Sequence, residues 1–212
     1  MPRDPNEPVR LTRIYTRGGD KGETSLGDGL WRWTAPHPNA ANWPGWGPPV
    51  PPEVGCVYYE APDAVVLVDP LLPADEEAPF LAHLDRDVGR LGLPVSILLT
   101  AAWHERSASI LRERYQATDR VPDSVERHRV EGAPEEQLAY FIRPHQALVV
   151  AEIFVGDGQG GLALSPSPAL EDRDALDRSL RAIADLPVEL VLVSHGEPVL
   201  EDGRRAIQLA LS

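Results

Sequence analysis

Cysteine is all but missing: Cys56 is the only one in 212 residues. A lone thiol excludes an intramolecular disulfide and any zinc site built from cysteines. Positive charge is also short, with 20 Lys and Arg against 33 Asp and Glu and a net charge of −13. Such a balance argues against a nucleic-acid backbone or an anionic membrane as the main partner, because both are polyanions. Lysine occurs once, as Lys21. No apolar run approaches the ~20 residues of a membrane span. Met1 to Arg10 is polar and proline-containing, without an apolar h-region. The expectation is a cytoplasmic protein. What is present is ordinary for a soluble globular chain: 42% hydrophobic residues. The length suffices for one α/β domain burying about 70% of its unfolded surface.

The segment Leu98-Leu99-Thr100-Ala101-Ala102-Trp103-His104-Glu105-Arg106-Ser107 organises the reading. The apolar run Val95 to Leu99, bounded by Pro94, predicts a buried strand. A helical pattern follows, with Ala108, Leu111 and Tyr115 on one face. A strand, a short turn and a helix N-terminus put the turn at the carboxyl edge of a sheet, where α/β folds usually hold ligands.

Further strands are expected at Trp31 to Thr34, Val54 to Glu60, Ala64 to Asp69, Gln137 to Ile142, Ala147 to Val155, Leu162 to Leu164 and Val188 to Val193. Helices are expected over Asp75 to Leu91, over Asp172 to Leu186 and from Gly203. Asp119 to Ala133 is charged and poor in apolar residues, and His128 within it reads as part of a solvated face. Trp31 to Pro52 holds four of the five tryptophans among many prolines. That segment reads as a loop whose indoles cover a core edge, with His37 at the surface.

The placement of Thr100 and the residues after it resembles the metallo-β-lactamase superfamily, in which such a Thr precedes a His-x-His-x-Asp-His metal motif. On that motif, Ala101 and Trp103 occupy the first two His positions, Glu105 the Asp and Arg106 the last His. Asp69, ending a strand, matches an acid beside the metal site. His145 stands near the next His, and Glu152 is the better match to a second acid. Ser194-His195-Gly196 resembles the final histidine motif, with His195 at the ligand position. The resemblance covers residues 29–212. It implies a trimmed metallo-β-lactamase-like αββα sandwich, an α/β fold, preceded by a poorly structured arm over 1–28.

Within that arm, Thr16-Arg17-Gly18-Gly19-Asp20-Lys21-Gly22 is a glycine-rich loop. Its backbone can converge on an anion, or it can be a solvated arm. It resembles the N-terminal ATP loop of the ATP:corrinoid adenosyltransferases. That resemblance implies nucleotide contacts for Arg17, Gly19, Asp20, Lys21 and Gly22. It stops near Gly29, and the helical bundle that completes such a pocket does not follow.

What the superfamily resemblance implies for chemistry is a dinuclear zinc hydrolase, yet Ala101 and Trp103 cannot ligate and Arg106 brings a fixed cation. The remnant positions are Asp69, His104, Glu105, Arg106, Glu152 and His195. The favoured expectation is a metal-free member without a cofactor that binds a small or anionic molecule. The alternatives are a hydrolase with a reduced mononuclear zinc site, and an adenosyltransferase. In the metal-free case Arg106 is expected to pair with Asp69 or Glu152.

Overall fold

The computed structural model describes residues 29–38, 53–74, 77–133, 135–165 and 172–212. The chain enters through strand β1 (Leu30–Pro36), then β2 (Glu53–Ala61) and β3 (Ala64–Val68). Helix α1 (Glu77–Leu91) leads to β4 (Val95–Leu98), a 3₁₀ turn at Ala102–Glu105 and helix α2 (Ala108–Tyr115). Strands β5 (Val125–Val130), β6 (Gln137–Ile142), β7 (Ala147–Val150), β8 (Phe154–Gly156) and β9 (Leu162–Leu164) follow. Helix α3 (Arg173–Ala184), β10 (Leu190–Val193) and helix α4 (Gly203–Ala210) complete the order.

Two four-stranded sheets result, β1-β2-β3-β4 and β10-β7-β6-β5, with β8 and β9 as a separate ribbon. Their central strands carry apolar residues on both faces, because each face meets a different layer. In β3, Val66 and Val68 look inward to the other sheet, while Val65 and Leu67 look outward to α1 and α2. The period-2 alternation repeats in β7, where Val149 faces inward and Leu148 and Val150 face α3 and α4. The inner layer joins Val57, Tyr59 and Leu98 of one sheet to Tyr140, Ile142 and Leu192 of the other. Phe80 and Leu84 of α1, with Ala108 and Leu111 of α2, cover the first sheet. Leu176, Leu180 and Ile183 of α3, with Ile207 of α4, cover the second. The layers are therefore helix, sheet, sheet, helix, as the αββα expectation holds.

Two local expectations change. The charged run after Asp119 contains β5, whose Glu126, Arg127, His128 and Arg129 lie between the buried Val125 and Val130. It pairs with β6 alone, so charge along it guards an open edge. The expected long strand from Ala147 to Val155 breaks after Val150, and Glu152 sits in the turn between β7 and β8. An acid in a turn reaches solvent, whereas one inside a buried strand would not.

Strand direction gathers the chemistry at one edge. β3 and β4 run parallel, as do β7 and β10. Residues just past their ends, namely Asp69, Thr100, Glu152 and His195, therefore lie along one edge of the sandwich. β1 is antiparallel to β2 and β2 to β3, so His37 after β1 and Glu53 opening β2 reach the same edge.

Candidate functional site

The centre of this edge is a buried carboxylate. Asp69 is 2% exposed and adopts φ 49°, the left-handed region that Asp tolerates better than most residues. That turn points its carboxyl at β4's end. The Thr100 backbone N–H donates to Asp69 Oδ1 at 2.8 Å, and the Thr100 hydroxyl donates to Oδ2. His104, fully buried, places Nδ1 3.0 Å from the same Oδ2 and 3.0 Å from Thr100 Oγ1. The 3₁₀ turn at Ala102–Glu105 makes this possible by bringing His104 back under the residue four before it.

The chain of charges continues outward. His104 Nε2 lies 3.6 Å from Glu152 Oε1, and His195 Nε2 lies 3.5 Å from that oxygen. His195 Nδ1 donates to the Glu53 carbonyl at 3.0 Å, since a carbonyl only accepts. That contact orients the ring and turns Nε2 toward Glu152. Asp69, His104, Glu152 and His195 thus form one alternating acid–imidazole row, buried at Asp69 and partly open at Glu152.

Burial alone would lift both carboxyls and depress the imidazole, but the pairing wins in each case. Asp69 is held below the usual carboxylate range: against its burial stand the His104 charge and hydrogen bond, the Arg106 charge and the Thr100 hydroxyl. His104 is raised above 6.5, because the Asp69 carboxylate outweighs burial and the Arg106 charge. Glu152 is lowered, its burial outweighed by His104 and His195. His37 moves the other way: burial lowers it, and the Arg106 and His195 charges add to that. The sequence reading left His37 at the surface. It is half-buried and close enough to feel Arg106, His195, Glu152 and His104, so it belongs to the rim of this cleft.

Glycines lock His195 in place. Gly196 has φ 84°, and a Cβ there would sit 2.8 Å from the Gly156 backbone nitrogen. The closeness is needed because Gly156 N–H donates to the His195 carbonyl at 3.0 Å. At Gly55, a Cβ would strike Arg32 and lie 2.6 Å from the Val193 carbonyl. There Gly55 N–H donates to Ser194 O at 2.7 Å, and buried Arg32 donates to the Val193 and Gly196 carbonyls at 3.1 Å. These bonds tie β1 and β2 to the end of β10.

Arg106 overturns its expected pairing. Asp69 and Glu152 take histidine partners, not the guanidinium. Arg106 Nε and Nη1 are buried without a hydrogen-bond partner. The reason is steric: the backbone at φ 32°, ψ −108° turns the residue out of the 3₁₀ turn, and His104 has already filled the space beside Asp69. Glu105 leaves the site as well, both its carboxylate oxygens accepting from Arg112 Nη1 of α2 at 2.6 and 2.7 Å. His145 stands at the far end of β7, with its ring edge-on to Tyr59 at 5.5 Å. Trp103 is 36% exposed, its ring edge-on to that of His104. Cys56 has no nucleophilic part: burial pushes its thiol up to about 12. The glycine-rich loop with Arg17, Gly19, Asp20, Lys21 and Gly22 lies outside the described residues.

The dinuclear zinc set of the resemblance does not fit these residues. Two ligand positions are Ala101 and Trp103, and a third is the cation Arg106. Among the described residues no three His, Cys, Asp or Glu side chains are arranged to hold a metal ion. His104 Nε2 is buried without a hydrogen-bond partner, but it faces the Glu152 carboxylate at ion-pair distance.

No protein-family model matches the sequence, and no curated protein does. Solved structures do. The metallo-β-lactamase FIM-1 from Pseudomonas aeruginosa, in its mono-zinc form, superposes with a TM-score of 0.58 at 16% identity, over 89% of this chain and 92% of that one. The archaeal metallo-β-lactamase superfamily protein ST1585 from Sulfolobus tokodaii gives 0.58 at 12% identity, over 86% and 84%. A metallo-β-lactamase from Erythrobacter litoralis gives 0.57 at 15% identity, over 89% of each chain. With its αββα layers and this agreement across nearly the whole of each neighbour, the chain has the metallo-β-lactamase fold.

Proposed function

We propose that this protein is a non-hydrolytic member of its fold that binds a small anionic molecule in the cleft between Asp69, His104, Glu152 and His195. The carrying observation is that each cleft acid lies within ion-pair distance of an imidazole, so a proton on His104 balances carboxylate charge where the superfamily uses metal ions. Orphaned acids in a cleft would repel one another and demand a cation. Here the buried His104, raised in pKa by Asp69, supplies it. The Ala101, Trp103 and Arg106 replacements support the same reading from the sequence side.

The test is elemental mass spectrometry on protein purified without chelators or a metal-binding tag, followed by assays on a β-lactam and on activated esters with and without added zinc. The expected result is well under one metal ion per chain and no hydrolysis above background. About one equivalent of zinc together with zinc-dependent turnover overturns the reading in favour of a mononuclear hydrolase.

A further inference from the structure

Arg106 carries two costs that nothing among the described residues repays. Its backbone sits at φ 32°, ψ −108°, a region L side chains rarely adopt. Its Nε and Nη1 are buried and lack acceptors, and an unpaired buried charged donor is expensive. The natural internal acceptors are all committed: Asp69 to Thr100 and His104, Glu152 to the two imidazoles, and Glu105 to Arg112. The guanidinium is nonetheless inside the cleft's electrostatic neighbourhood, since its charge acts on Cys56, Asp69, His104 and His37. It lies in the turn between β4 and α2. Ser107 gives that helix no side-chain cap, because its hydroxyl accepts from Leu72 N–H at 3.0 Å.

We infer that Arg106 is the anchor of a carboxylate-binding subsite, and that the ligand is a small monoanionic carboxylate. The inference rests on the metal-free reading of the cleft and names its ligand class. Arg106 is half-buried, and a guanidinium with two unpaired donors matches the planar, two-oxygen face of a carboxylate. A phosphate dianion matches less well. Asp69 and Glu152 already place two negative charges in the cleft, and each has an imidazole partner, His104 or His195, which leaves Arg106 to answer a ligand's charge. His37, the remaining rim group whose charge state is shifted, is driven toward neutrality by its burial and by Arg106. A second ligand charge would find no further cation among these groups to answer it.

The experiment is isothermal titration calorimetry on the full chain at fixed ionic strength, with butanoate, benzoate, inorganic phosphate and methyl phosphate as probes. Wild type is compared with Arg106→Lys and Arg106→Gly, and metal content is measured on the same samples. A saturable carboxylate isotherm at millimolar levels or better, at least about tenfold tighter than either phosphate, supports the inference. Arg106→Lys weakens it by about tenfold or more, because the planar fork is lost while the charge stays. Arg106→Gly loses binding yet melts at or above the wild-type temperature, since it relieves both the strain and the unpaired donors. That combination separates a ligand anchor from a structural arginine, whose removal lowers the melting temperature. No saturable carboxylate binding up to about 10 mM, tighter phosphate binding, or undiminished binding by Arg106→Gly overturns the inference. In metal-free protein such a failure leaves the metal-free reading standing, whereas stoichiometric zinc with chelator-sensitive binding overturns both.

Discussion

Replacing Asp69 by Asn isolates the charge at the buried end of the acid–imidazole row. Asn has the same shape and, like Asp, tolerates the left-handed φ of 49° found here. Its carbonyl can still accept from the Thr100 N–H, but its amide nitrogen is a donor and accepts from neither the Thr100 hydroxyl nor His104 Nδ1. His104 is fully buried, so it loses its counter-charge without gaining water. Breaking a well-buried pair from one side costs roughly 3–5 kcal/mol. A histidine escapes part of that by deprotonating, so the lower end, about 3 kcal/mol, is expected at acidic pH. For a chain of this size that is a fall in Tm of about 6–12 °C.

The pH dependence sharpens the test. His104 is raised above its ordinary 6.5, so its contribution is complete below pH 6.5 and disappears as pH rises through the folded-state value. Asp69 is depressed below 3.8, so its contribution is present above pH 3.8 and is lost as pH falls through its folded-state value. The gap between wild type and Asp69→Asn should therefore be widest between about pH 4 and 6.5 and should narrow on the alkaline side. Thermal denaturation followed by circular dichroism at pH 5.5 and at pH 8.5 or above reads this directly. A gap under about 1 kcal/mol at pH 5.5, or one that widens with rising pH, would refute an imidazolium paired with Asp69.

Three further outcomes are expected. Gly196→Ala should destabilise by at least about 1–3 kcal/mol in urea unfolding, because φ 84° strains any L residue and the new methyl presses on the Gly156 backbone; an unchanged midpoint would contradict the close approach. Arg114→Ala breaks a half-exposed pair with Asp85 and should leave the urea midpoint almost unchanged; a large drop in the same assay would contradict the weakness expected of an exposed pair. A chain starting at Gly29 should fold cooperatively, and the full chain given ATP and reduced cobalamin should form no adenosylcobalamin; insolubility of the first or product from the second would make the glycine-rich arm part of the working protein.

Much of the sandwich could be read from the chain because its signals are local. Val65 to Val68, Ala147 to Val150 and Leu190 to Val193 are apolar on both faces, and such runs need a layer on each side. Asp69 and His195 could be placed because each immediately follows such a strand. The strand β5 is not legible in the sequence because an edge strand carries charge, which hides its period. The place of His37 is not legible either, because nothing near it in sequence hints that β1 runs parallel to β3 and delivers it to the same edge.

Which partner each charge takes was decided only in three dimensions. The chain presents Arg106 as the obvious cation for Asp69, since a guanidinium is always charged and fork-shaped. His104 takes that place because the 3₁₀ turn at Ala102–Glu105 returns it to Thr100 and Asp69, while Arg106 is carried past by its positive φ. Sequence thus determined the layers, the strand ends and the residue types available at the cleft. Tertiary structure decided the pairing, because ion pairs depend on distances of a few ångströms between residues such as Asp69 and His104, or Glu152 and His195, that lie dozens of positions apart or on different strands.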